Sequence, residues 1–221
     1  MISFAMKTLL YSSPKMDFST NEIAEYNKLI SKVYEGQLFP KDLSFPKYRF
    51  LQYISLHGDF IFHGSNNLDI DIFKPQEQTL FNGKKTKAVF ASSEPIWSMF
   101  YAVLDRSKLV GSIRNGCLVY KNKKYHYYSL NKSTMEKDPW TSGKLYILPK
   151  NVFKLADNNN IHFDEWISHD FVKPINHLEI HPDDFYFKNR VSTHKKHESN
   201  VKTWLLYKYR TLKVKKGKNI N

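Results

Sequence analysis

The sequence predicts one α+β domain whose sheet is mainly antiparallel. Three observations lead there. Two segments of helical period come first, a single strand–loop–strand–helix unit follows, and after it the apolar residues recur at period two. The 221 residues suit one domain, and 41% apolar content with 16 Phe and 14 Tyr supplies a largely aromatic core.

Taken in order, Ser19-Thr20-Asn21-Glu22 has the spacing of a capping box. Ile23, Tyr26, Leu29, Ile30 and Val33 then repeat at helical period, and Gly36 is a stop. A second helix runs from about Pro46, which suits a first turn, through Phe50, Leu51 and Ile54 to His57, with Gly58 ending it. Both are N-terminal packing helices within 19–57. Asp59 to His63 reads as a short buried strand stopped by Gly64, and Lys87 to Ala91 as another. Ser93 is then placed to cap a helix that turns Ile96, Trp97, Phe100, Val103 and Leu104 inward. Strand patterns follow at Leu118–Tyr120, Tyr125–Leu130, Leu145–Leu148, Glu165–Ile167 and Leu178–Ile180. Asp157 to Asn160 is a loop, and Glu198 to Tyr209 a short final helix. No internal repeat is visible.

Charge divides the chain. The formal net charge is +13, of which residues 188–221 hold 11 Lys and Arg against one acid, Glu198. That segment reads as a basic extension behind a nearly balanced 1–187 body. Such an extension favours polyanions through counterion release. Trp204, Tyr207, Lys208, Arg210, Lys213, Lys215 and Lys216 interleave aromatics with cations in the manner of single-strand binders, which makes them candidate nucleic-acid-binding residues. The one cysteine, Cys117, allows no internal disulfide and no Cys-rich zinc site, and it reads as a buried strand thiol. With no apolar run near the ~20 residues of a membrane span and no leader pattern, we expect a cytoplasmic protein.

Phe62-His63-Gly64-Ser65, then Ala88-Val89-Phe90-Ala91-Ser92, then Glu165-Trp166 carry a resemblance. In motif order over roughly 60–185 they resemble the ADP-ribosyltransferase superfamily, nearer its poly(ADP-ribose) polymerase and diphtheria-toxin-like branch. The resemblance implies a split, mainly antiparallel sheet, with NAD as substrate and no metal. It implies that His63 holds the nicotinamide ribose, that Gly64 receives the carboxamide through its backbone, that Ser65 supports it, and that Glu165 is catalytic. Phe100 or Tyr101 would stack on the nicotinamide. Phe90 and Trp97 read as core aromatics. Val89 stands where the family usually has Tyr, which makes mono-transfer the expected reaction, to a protein or nucleic-acid acceptor.

Cleavage of the nicotinamide–ribose bond builds positive charge on the ribose, and a carboxylate in a dry pocket stabilises that charge more than it does the ground state. Two other readings stay open. One is an NAD-pocket binding module or RNA 2′-phosphotransferase-like enzyme, for which Arg106 and Arg114 are the only nearby arginines. The other is a non-catalytic basic nucleic-acid-binding protein. His177, Glu179 and His181 spread along roughly 13 Å of straight strand and do not converge on a metal. Rossmann and P-loop glycine spacings and a nucleophile elbow are not present in the sequence.

Overall fold

The computed structural model describes residues 2–37, 39–40 and 42–218, with side chains as far as 213 in the last helix. Among them, helix α1 (Ile2–Leu9) and strand β1 (Tyr11–Ser12) precede α2 (Thr20–Glu35) and α3 (Lys47–His57). Next come β2 (Phe60–Ser65), β3 (Gln76–Thr79), β4 (Lys85–Ala91) and α4 (Pro95–Val103). The hairpin β5 (Ile113–Tyr120) and β6 (Lys123–Asn131) leads into the short α5 (Lys132–Met135) and β7 (Gly143–Pro149). The chain closes with β8 (Lys154–Leu155), β9 (Ile161–Phe163), β10 (Trp166–Ser168), β11 (Asn176–Ile180), β12 (Ser192–His194) and α6 (Asn200–Lys218). The fold is mixed α+β, and among the described residues all but one of the strand pairings are antiparallel; β12 runs parallel to β6.

α2 begins as its capping box dictates. Ser19 accepts from the Glu22 backbone, Glu22 accepts from the Ser19 backbone, and Gly36 ends the helix in the left-handed region at φ 65. Tyr26, Leu29 and Val33 are buried, whereas Ile23 remains exposed. α3 follows Pro46, and its Gln52 amide donates to the Glu94 carboxylate, tying α3 to the start of α4. The α4 cap is Glu94 rather than Ser93, because the Glu94 side chain accepts from Ile96 N while the Ser93 hydroxyl is drawn away to Asp164.

Three sheets form, with strand orders β1-β6-β5-β9 (β12 beside β6), β3-β4-β10-β8, and β11-β7-β2. One extended stretch serves two of them. Residues 161–163 pair with β5 and residues 166–168 with β4, so Asp164 and Glu165 stand where the chain leaves one sheet for the next. Phe62 and Ser92 exchange backbone hydrogen bonds, which joins β2 to the end of β4 at one point before the two diverge.

Gly64 does not stop its strand, which runs on to Ser65. It is there because α4 crosses β2 backbone to backbone: a Cβ on Gly64 would overlap the Ser98 carbonyl oxygen and lie 2.8 Å from Ala102 N. Gly143 of β7 meets the Ala102 carbonyl in the same way. We therefore expect Gly64→Ala to lift α4 from the sheet and cost roughly 3 kcal/mol, the upper end of ordinary overpacking. An unchanged urea midpoint would disprove that close approach.

The boundary expected at 187/188 does not separate two bodies. β12 is a strand of the five-stranded sheet, Tyr207 is fully buried with its hydroxyl donating to Arg190 O, and Thr203 and Thr211 are buried. α6 is thus longer than sequence period suggested and is docked on β6 and α1. Its charge density hid an apolar face, because Trp204, Tyr207 and Thr211 alternate with the lysines.

Candidate active site

A cavity of about 180 Å³ opens at the edge of β2, in the wedge left where β4 and β10 turn away. Its lining includes His63 and Gly64 from β2, Phe90 from β4, Trp97, Ser98 and Tyr101 from α4, Arg106 just beyond α4, and Glu165 from the point where the chain changes sheets.

Strand geometry explains what β2 presents. Phe62 spends its N–H and C=O on Ser92, so those groups face away from β7. By the period of two, the N–H and C=O of Gly64 face the same way, onto an edge that no other described strand covers. Gly64 therefore offers the cavity a free donor and acceptor on one residue. His63 is half-buried, with its ring 4.7 Å from Phe73. Its Nδ1 lies 2.6 Å from Phe90 O and must donate to it. Burial lowers the His63 pKa, opposed by the bond to Phe90. The ring is accordingly neutral, with Nε2 left as an acceptor.

Glu165 accepts from the Phe81 backbone at 3.0 Å, and burial raises its pKa against that hydrogen bond. Its neighbour Asp164 anchors it. The buried Asp164 carboxylate accepts from Ser92 (3.0 Å), Ser93 (2.9 Å) and Trp166 Nε1 (2.8 Å), and pairs with Lys124 Nζ at 3.2 Å. Burial works to raise the Asp164 pKa, but Lys124 and these three donors more than offset it and hold it low. Opposite, Asn115 Oδ1 accepts from both Trp97 Nε1 (2.6 Å) and Tyr101 OH (2.9 Å), which fixes the two rings. Arg106 lies over the Tyr101 ring at 5.9 Å.

Of the residues singled out in the sequence, His63, Gly64, Tyr101 and Glu165 come together here. Ser65 and Phe100 do not. Ser65 accepts from Asn67 N at 3.0 Å and shapes the following loop. Phe100 is fully buried in the core, 4.9 Å from Tyr128. Trp97 is buried in the core as expected and also forms part of the cavity wall, whereas Phe90, expected in the core, is half-buried and contributes to the wall. Arg106 enters the sequence reading only as one of two arginines near the motifs, since nothing local marks a cation just past a helix end as facing a cavity.

In the C-terminal segment Trp204 lines a second cleft, whereas Tyr207, Lys208 and Arg210 are engaged internally. Tyr207 is core, Lys208 donates to Leu10 O (3.3 Å) and Lys7 O, and Arg210 makes a two-pronged bond to Glu198 at 2.7 Å on each arm. The Arg210 hydrogen bonds hold the Glu198 pKa at about 2 despite some burial. Lys213 is exposed, and the Lys215 and Lys216 side chains lie outside the described residues.

Cys117 is buried as expected, and Glu94 and His126 offer ligand atoms within 4.8 Å of it. Those atoms already have partners. His126 bonds Ser13 (2.7 Å) and Tyr128 (2.9 Å), and Glu94 faces Lys124 at 3.6 Å. No described helix is long and apolar enough to cross a membrane. The sequence matches no family model, no curated protein and no solved structure.

Proposed function

We propose that the protein is a mono-ADP-ribosyltransferase that cleaves NAD at the nicotinamide–ribose bond and passes ADP-ribose to a protein or nucleic-acid acceptor. The observation that carries the reading is the meeting of His63, Gly64, Tyr101 and Glu165 in one cavity, although His63 and Glu165 lie about a hundred residues apart in the chain. The resemblance in motif order and the division of the sheets at Glu165 support it. At about 180 Å³ the cavity is smaller than the roughly 300–1,000 Å³ of sites that enclose a whole drug-sized ligand, so it suits the nicotinamide end of NAD rather than all of it.

In this reading Gly64 pairs its free N–H and C=O with the carboxamide, and Tyr101 packs on the pyridine ring. His63 Nε2 accepts from a ribose hydroxyl. The C1′–N bond breaks with its electron pair leaving on the nicotinamide nitrogen, which becomes neutral. The positive charge left on the ribose is stabilised by the Glu165 carboxylate. An acceptor nitrogen or oxygen then bonds C1′ and loses its proton to Glu165, whose raised pKa fits it to take one. No metal has a part in this scheme.

Incubation with NAD should release free nicotinamide, measured by chromatography, and should leave ADP-ribose on the acceptor or in solution. Intact NAD after prolonged incubation, with binding detectable by calorimetry, would turn the reading to an NAD-binding module instead.

A further inference from the structure

A second cleft of about 610 Å³ lies beside the first, between β5, the loop after β3, and α6. We infer that it holds an unpaired base of single-stranded nucleic acid, which would make that polymer the acceptor.

The walls are aromatic. Phe81 and Phe163 stack with ring centroids 3.3 Å apart, and Trp204 meets Tyr127 edge-on at 6.2 Å. Gly116 lets two of these rings settle on β5, since a Cβ there would strike Phe163 and lie 2.8 Å from Tyr127 Cε1. Phe81 is 56% exposed, a large apolar ring held in place by a partner beneath it. A flat ring in water over a cleft is what base stacking uses, and stacking accepts any base.

The cleft lining includes polar donors without protein acceptors. Asn115 spends its Oδ1 on Trp97 and Tyr101, which leaves its Nδ2 amide, and that amide has no protein acceptor among the described residues. Trp204 Nε1 and Arg114 Nε are also without acceptors among the described residues. Keto oxygens and ring nitrogens of bases supply the acceptor that the Asn115 amide lacks, while Trp204 Nε1 and Arg114 Nε lie buried behind the wall. Charge agrees: α6, whose first turns line the cleft, carries seven Lys and Arg and no acid in its sequence, a surplus that favours a phosphate backbone.

The two cavities have no lining residue in common, but hydrogen bonds between their walls tie them together. Asn115 lines the cleft while orienting Trp97 and Tyr101, and Phe81 lines it while its N–H holds the Glu165 carboxylate. A base held in the cleft therefore sits next to the carboxylate side of the first cavity. Only that last step, delivery of the base to transferred ADP-ribose, rests on the transferase reading; base binding does not.

Binding is tested on the full chain without NAD, by fluorescence anisotropy of a labelled single-stranded 12-mer and of an abasic 12-mer with the same backbone. The wild type should bind the abasic strand roughly 10–100-fold more weakly, as expected for loss of stacking. Phe81→Ala should bind the normal strand about as weakly, with its salt dependence unaltered, and Phe81→Trp should restore binding. Gln in place of Lys213, Lys215, Lys216 and Lys218 should flatten the salt slope, by about 0.7 for each phosphate no longer neutralised. Melting curves establish that Phe81→Ala is folded, and Phe81→Trp carries the test if it is not.

Equal affinity for the two strands overturns the inference. So does unaltered binding by Phe81→Ala, as when the cleft takes a protein, or displacement of the strand by NAD, which would assign the cleft to the adenosine end of NAD. Nicotinamide release measured without any strand tests the transferase reading separately, so either can fail while the other stands.

Discussion

Glu165→Gln should lower the rate of nicotinamide release by about 10²–10³ while NAD still binds. The substitution keeps the shape and the bond from the Phe81 backbone, but removes the one negative charge that faces the developing ribose cation. Neutral contacts at Gly64 and Tyr101 are untouched, so calorimetric affinity should change little. The wild-type rate should rise with pH through a value above the ordinary carboxylate range, because burial favours the protonated, inactive form of Glu165. In the Gln variant that rise should vanish. A full rate in Glu165→Gln, or an identical pH profile, would take Glu165 out of the chemistry.

Asp164→Ala should destabilise the fold by about 3–5 kcal/mol, the range for breaking a buried ion pair from one side. It deprives Ser92, Ser93 and Trp166 of their acceptor and leaves Lys124, only 24% exposed, with Glu94 at 3.6 Å as its carboxylate partner and the neutral Ser93 hydroxyl beside it. For a chain of this size that corresponds to a drop in Tm of roughly 6–20 °C. The sign with pH follows from the lowered Asp164 pKa. Its contribution is complete above the ordinary carboxylate range and is lost as pH falls through the folded value, so the variant and the wild type should converge in acid. A variant that melts within about 2 °C of the wild type, well short of that drop, or a gap that widens in acid, would contradict this account.

Elements governed by near neighbours in the chain were legible in the sequence. The α2 cap at Ser19 and Glu22 is a contact between residues three apart, and Gly36 ends the helix by its own backbone freedom. The end of β5 at Leu118–Tyr120 and most of β6 at Tyr125–Leu130 show in the sequence by period, while the first part of β5 does not. What the sequence could not convey is which way neighbouring residues turn once elements pack. Phe100 and Tyr101 are adjacent on α4, about 100° apart around the helix, and only the crossing of α4 over β2 sends one to the core and the other to the cavity. Val89 and Phe90 divide in the same manner across β4. Asp164 gave no local sign that it would carry more buried hydrogen bonds than its neighbour Glu165. The C-terminal segment misled through composition: its cations are spaced among the residues that bury it, and charge counts do not reveal that Arg210 and Glu198 satisfy each other.

The change of sheet at Asp164 and Glu165 constrains how this chain can diverge. Successive residues of an extended segment face opposite ways, and here one carboxylate goes to the interior and the next to the cavity. Loss or gain of a single residue within 161–168 would exchange their places, setting the anchor in solvent and the free carboxylate among Ser92, Ser93 and Lys124. Distant descendants can therefore vary in residue type along this stretch but not in length. Asp157 to Asn160, an exposed turn immediately before it, can absorb insertions at a cost that grows only with the logarithm of loop length.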